Sequence, residues 1–351
     1  MVLRGFLALA VSIAVTPVIT LGLRRLRVMD VPNRRSSHQD PTPRGGGIGV
    51  ALAVALAVAL GPELTGVSRA ALLLCGVAFA LVGLMEDVVG VSARRRLPLL
   101  FAAAAVPLPW MLRTFSGGPW AGLALSAFVV ACLVAYTNAF NFMDGINGLA
   151  AAQALVAGGA WFVVGQAAEL EWLSAMSLIL AGAALGFLPY NAPRARVFLG
   201  DVGSYYLGAL IAYITVEALR SGAPPEAVAG PLAVFLADTG VTLARRIARG
   251  DRWFEAHREH VYQRLTVQLG GSHMAATGAV VTAMAACAAL GALSLTGSLG
   301  LRLAGDAGIV AVLAAYLAAP ALHARAGLRQ TRPGTGCLTR TPPATGATRL
   351  R

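Results

Sequence analysis

The sequence predicts an all-α fold, a polytopic helical membrane protein with about ten or eleven transmembrane helices. Three observations carry that expectation. The chain is 57% hydrophobic and 13% charged, with a mean hydropathy of +0.70, whereas soluble domains carry about 25% charged residues. Residues 48–60, 70–84, 120–136 and 274–295 are free of charge, and a spanning helix needs ~20 predominantly apolar residues. All 28 basic residues are arginine, and 23 of them fall within residues 24–44, 94–96, 194–196, 245–264 and 325–351. Basic loops stay cytoplasmic, so these five groups mark one face of a bilayer.

In chain order the spans fall at residues 5–23, 46–62, 70–85, 99–113, 120–136, 149–165, 172–189, 205–220, 229–244, 274–296 and 305–323. The first follows Arg4 and competes with a signal peptide, but Arg24, Arg25 and Arg27 stand where a small-residue cleavage site belongs. The shortest runs need flanking residues or a thin bilayer to cross. Loops 30–47, 86–98, 137–148, 190–204 and 245–271 follow the odd-numbered spans and therefore share a side. They hold most of the arginines and nearly all the polar motifs. Eleven spans also return the basic tail to that side.

Residues 1–325 form a single membrane domain, and residues 326–351, rich in Arg, Pro and Gly, are expected to be a disordered cytoplasmic tail. Long apolar runs without alternation of period two favour a bundle over a barrel. The net charge of +12 does not point to nucleic acid, because the arginines cluster at span ends. Cys75, Cys132 and Cys287 lie inside spans, with no C-x-x-C pair, and are expected to be buried structural thiols.

The few acids recur in short polar segments: Glu86-Asp87, Asp144-Gly145, Gly200-Asp201 and Asp238. Around them lie five blocks. In residues 30–47, Pro41 and Pro43 fix an extended segment, and Arg34, Arg35 and Arg44 offer guanidinium forks for phosphate. Gly45, Gly46 and Gly47 would let backbone N–H groups approach a ligand. Glu86-Asp87 closes the third span, and adjacent carboxylates call for a cation; Mg²⁺ takes one or two carboxylates plus substrate phosphates. Asn138, Asn141 and Asp144 are spaced three apart and, if helical, line one face at the end of a span. Amides and a carboxylate there suit a metal or a sugar; Asn147 follows. Asp201 stands between Gly200 and Gly203, as a ligand or as a helix cap. His257 and His260 would share a helix face, with Arg258 and Arg264 nearby for phosphate, unless the segment is an amphipathic helix on the lipid.

Five blocks in this order resemble the polyprenyl-phosphate N-acetylhexosamine-1-phosphate transferases, the family of the WecA-like and MraY-like enzymes. The blocks are residues 32–47, 83–87, 138–148, 191–204 and 257–265. The His-x-x-His-x-Tyr-Gln-Arg-Leu form is most similar to the branch that starts O-antigen. The resemblance implies transfer of a sugar-1-phosphate from a UDP-N-acetylhexosamine to undecaprenyl phosphate, with release of UMP. It implies Mg²⁺ or Mn²⁺ at the cytoplasmic face of the bacterial inner membrane. Asp201 and Asp87 would be metal-associated, Glu86, Asp87 and Asp144 catalytic, and Arg44, Asn138, Asn141, Asn147, His257, His260 and Arg264 substrate-binding. It admits a homodimer embedded in membrane lipid.

Two positions depart from the family pattern. Glu86 stands where Asp is usual, and Asn147 where Asp is frequent. The first lengthens a proton acceptor, and the second removes a charge beside the sugar. A transporter or flippase is the rival class, but transporters place ionisable groups at the bilayer midplane, and here the span centres are almost uncharged.

Overall fold

The computed structural model describes residues 1–32, 40–61, 69–113, 115–252 and 257–330. Arg34 and Arg35, and residues 331–351 of the expected tail, lie outside the described residues. The helices are α1 (Val2–Arg25), α2 (Gly47–Ala59), α3 (Arg69–Val89), α4 (Ala93–Ala105), α5 (Leu108–Arg113), α6 (Pro119–Met143) and α7 (Leu149–Ala167). They continue with α8 (Glu171–Asn191), α9 (Gly200–Arg220), α10 (Pro225–Ala229), α11 (Ala233–Ala248), α12 (Val261–Gln268), α13 (His273–Gly291) and α14 (Leu299–Gln330).

The eleven expected spans match this order. Nine helical segments among the described residues are long and apolar enough to cross a membrane. The second span, α2, has only 13 residues. The fourth is broken into α4 and α5, because Pro107 lacks the N–H that would extend α4. A short 3-10 turn at Gly230–Leu232 joins α10 to α11 within one span.

The core centres on α9, with 89% of its apolar window buried; α14 is outermost with 11%. Helix α9 packs on α3 and α6, while α8 packs on α1 and α7. Small residues make these approaches possible. A Cβ on Gly47 would overlap the Cα of Gly203, and one on Gly83 would overlap the carbonyl of Asp201. The backbones of α2 and α3 therefore press directly on the first turn of α9. Cys75 and Cys287 are buried free thiols, whereas Cys132, expected to be buried as well, is half-buried.

The chain between α1 and α2 forms a small hairpin, with Met29 opposite Pro43 and Asp30 opposite Thr42. It hands the glycine triplet to residues 198–199: Gly45 and Gly46 donate to the Phe198 carbonyl, and Gly47 to that of Leu199. Those N–H groups are thus spent on packing, not on the ligand approach expected from sequence. The triplet fixes Arg44 against the start of α9.

Candidate active site

Four of the five motif loops meet directly through polar contacts, and the fifth docks on one of them. Arg44 is the hub. Its Nε lies 2.7 Å from Asp87 Oδ1, and its Nη2 lies 2.6 Å from Asp201 Oδ2. Burial opposes its charge, but Asp201 and Asp87 outweigh burial and hold the guanidinium more firmly protonated than usual.

Asp87, at the end of α3, is 1% exposed. Its Oδ1 accepts from the Asp201 N–H and its Oδ2 from the Val202 N–H, both at 2.9 Å. Helix α9 starts at Gly200, so those N–H groups have no partner inside the helix. The residue before α9, Leu199, provides no side-chain cap. Asp87 therefore caps α9 from another helix. Glu86 turns away, accepting from the Val91 N–H at 3.2 Å and standing 3.8 Å from Arg96.

Asp201 lies in the first turn of α9, four residues nearer the chain start than the expected span. There the positive end of the helix dipole favours its charge. Asn141 Nδ2 donates to Asp201 Oδ1 at 2.7 Å and to Ser204 Oγ at 2.9 Å. Asp144 follows α6 directly. Among the described residues no hydrogen bond reaches its carboxylate. Burial first, then the charge of Asp201, pushes it well above the usual carboxylate range; Arg44 opposes this only in part. Asn138, one turn earlier, does not join the acids. Its amide bonds back to Val134 O, and it lines a separate cavity.

That cavity, of about 550 Å³, is almost wholly apolar and runs between α4, α6 and α11. Ala139, Phe142, Leu236 and Leu243 line it, with Arg94 and Arg96 also on its wall. A second, more polar cavity of about 410 Å³ is lined by Gly145, Ile146, Arg258, Gln263, Arg264 and His273, among others. Asn147 sits behind this cavity, held by Pro193, His273 and Thr277.

His257 and His260 do not share a helix face. His260 is the N-cap of α12 and His257 lies in the preceding loop, yet their rings are 4.9 Å apart. The His260 ring is 6.2 Å from that of Phe142, and Tyr262 Oη donates to the Phe142 carbonyl. The histidine block is thereby seated on the end of α6. Burial, then His260 and Arg246, lowers His257 to about 4, so it is neutral near pH 7. The sequence grouped Asp238 with the acids but assigned it no site role; its wholly buried carboxylate in fact holds His260 Nδ1 at 3.0 Å. Ser204 was likewise missed. The signal available was an acid standing alone within an apolar span.

The available oxygen donors suit a divalent cation. Among the described residues the Asp144 carboxylate takes no hydrogen bond, the Asp201 charge bears on it, and the Asn141 carbonyl oxygen is not used by the amide's donations. Among the described residues no three acidic, His or Cys side chains form a complete metal cage. Mg²⁺ does not need one where substrate phosphates complete its shell.

Residues 69–219 match the family model for glycosyl transferase family 4. Over 310 residues the chain is 28% identical to the decaprenyl-phosphate N-acetylglucosaminephosphotransferase of Mycobacterium leprae, covering 77% of this chain and 78% of that one. It is 24% identical to a probable undecaprenyl-phosphate N-acetylglucosaminyl 1-phosphate transferase of Bacillus subtilis, covering 78% of each. It is 32% identical to the phospho-N-acetylmuramoyl-pentapeptide-transferase of Geobacillus kaustophilus, over 60% of this chain and 74% of the relative. This multi-pass membrane chain therefore belongs to glycosyl transferase family 4, the polyprenyl-phosphate sugar-phosphate transferases.

Proposed function

We propose that the enzyme transfers an N-acetylhexosamine-1-phosphate from a UDP-sugar to undecaprenyl phosphate. UMP leaves, and the product starts a lipid-linked surface polysaccharide of the O-antigen type. The reaction takes place on the cytoplasmic face of the inner membrane. One observation carries this reading. A single run, residues 138–146, borders the apolar cavity with Asn138, Ala139 and Phe142, holds the acid centre with Asn141 and Asp144, and borders the polar cavity with Gly145 and Ile146. A lipid phosphate and a sugar nucleotide would thus be brought to one point from two chemically different sides.

The residues have separable tasks. The apolar cavity takes the first isoprene units, with Arg94 and Arg96 drawing the lipid phosphate to its wall. Arg258 and Arg264 line the side that takes the sugar nucleotide. Asp144 and Asp201 would hold Mg²⁺ or Mn²⁺, which neutralises phosphate charge as it develops. Asp87 and Arg44 set the position of Asp201 at the start of α9. His257 and His260 face the phosphates beside Phe142. Bringing both reactants to one point removes much of the entropic cost of their encounter.

The test is a transfer assay on purified protein with Mg²⁺, UDP-N-acetylhexosamines, and undecaprenyl or decaprenyl phosphate, with the product identified by mass spectrometry. Gly240→Phe is the diagnostic variant. Gly240 lines the apolar cavity, and a Cβ there meets nothing within 4 Å. The ring should enter the cavity and raise KM for the lipid about tenfold, near 1.4 kcal/mol. KM for the UDP-sugar should stay put. An unchanged lipid KM would remove the cavity from the reaction.

A further inference from the structure

Asp238 lies on α11, wholly buried, and its carboxylate collects donors from α12, α14 and the loop between α11 and α12. His260 Nδ1 stands 3.0 Å from Oδ1, and the Val261 N–H donates to the same oxygen at 3.0 Å. Oδ2 accepts from Tyr316 Oη at 2.7 Å and, more weakly, from the Tyr262 N–H at 3.4 Å. Thr242, one turn along α11, donates to Oδ1 at 3.3 Å. Val261 and Tyr262 are the first two residues of α12, whose N–H groups no helical carbonyl can satisfy. One buried carboxylate therefore caps α12 and grips the histidine immediately before it.

A carboxylate can only accept, so the nitrogen facing it must carry the proton. Nδ1 of His260 is then N–H, and Nε2 carries the lone pair when the ring is neutral. A carboxylate on one ring nitrogen sets which nitrogen is available for chemistry and steadies the positive ring if it gains a proton. The ring is further fixed between His257 at 4.9 Å and Tyr262, stacked at 5.9 Å.

We propose that Asp238 is the positioning residue of the histidine block. It holds His260 Nδ1 as the N–H donor, so that Nε2 is the nitrogen left to take up a proton and, once protonated, to donate to substrate phosphate, and it locks α12 in register with the end of α6. What Nε2 meets rests on the transferase reading above; the tautomer and the docking do not. Through Tyr316 the same carboxylate ties in α14, the most lipid-exposed helix.

The decisive experiment is ¹⁵N NMR of histidine-labelled protein in bilayers at pH 8. There are five histidines, and the His260 signals are assigned by their loss in His260→Gln. The expected result is a protonated Nδ1 and an unprotonated Nε2 on His260. The reverse pattern overturns the proposal even if the transferase assay succeeds. If the assay fails and the Nδ1–H form is found, the proposal stands and the functional reading falls.

Asp238→Asn adds a kinetic arm. Misplacing a reacting group by an ångström costs about a hundredfold, so kcat should fall by about that factor while the His260 signals shift. Tyr316→Phe removes a donor from Oδ2 alone and should leave the His260 signals in place. Full activity in Asp238→Asn with displaced His260 signals would refute a positioning role. An Asp238→Asn protein that does not fold leaves the wild-type tautomer and Tyr316→Phe to decide.

Discussion

Replacing Asp87 by Asn separates a helix cap from a metal ligand. The carboxylate of Asp87 is 1% exposed and takes Arg44, the Asp201 N–H and the Val202 N–H. Asparagine has the same shape but only one acceptor oxygen, so its amide group must face a donor, most cheaply the Val202 N–H. Losing one cap interaction costs about 1 kcal/mol, and weakening a charge-assisted bond costs about 1.5–3 kcal/mol. Arg44 is 35% exposed and keeps Asp201, so the lower part of that range applies, giving about 2.5–3 kcal/mol in all. At about 2–4 °C per kcal/mol, the melting midpoint should drop roughly 5–10 °C. The assay is thermal unfolding in detergent, read by a thiol-reactive dye on buried Cys75 and Cys287. Asp144→Asn is the contrast. Its raised carboxyl destabilises the fold as pH rises above the ordinary carboxylate range, so an amide there should melt at or above wild type. Asp87→Asn melting within 2 °C of wild type would refute the cap and return Asp87 to the ligand set.

Asp201→Asn should leave the protein inserted and folded but reduce turnover about a thousandfold, or roughly 4 kcal/mol of transition-state stabilisation, in a transfer assay on matched amounts. His257, lowered from 6.5 to about 4, contributes stability above pH 6.5 that is lost as pH falls through about 4. The wild-type midpoint should therefore drop more steeply between pH 6.5 and 4 than that of His257→Gln; parallel curves would contradict the half-buried neutral ring. In intact cells, Cys at exposed Ser92 or Val267 should resist impermeant thiol reagents, while Cys at Ser221 on the opposite end should label. Labelling of Ser92→Cys from outside would invert the topology.

The order of spans and the gathering of acids at one end were legible in the sequence because both follow from hydropathy and charge sidedness. Arg44, Asp87, Asn141, Asp144 and Asp201 come together as their blocks suggested. Asn138 does not join them: its amide bonds back to Val134 O, and it lines the apolar cavity instead. Asp201, expected at the junction of loop 190–204 with the next span, lies inside the first turn of α9, just after Gly200, whose φ of +76° makes the turn into the helix. Asp238 was visible as an acid but not as the partner of the histidine block, because His260 and Tyr316 lie 22 and 78 residues away and no local spacing encodes that. The glycine triplet misled for a similar reason. Close approach of backbone was correctly implied, but to another backbone and not to a ligand.

The contact of Gly47 with Gly203, and of Gly83 with Asp201, divides the molecule mechanically. Where main chains touch with no side chain between them, no rotamer can yield, so the start of α9 is stiff. Helix α14 at the rim is exposed over most of residues 299–324 and can tilt without disturbing that seam. A bilayer that thickens or thins should therefore strain the outer helices first. The acid centre would keep its spacing across membranes of different composition, much as a keystone holds while the arch around it settles.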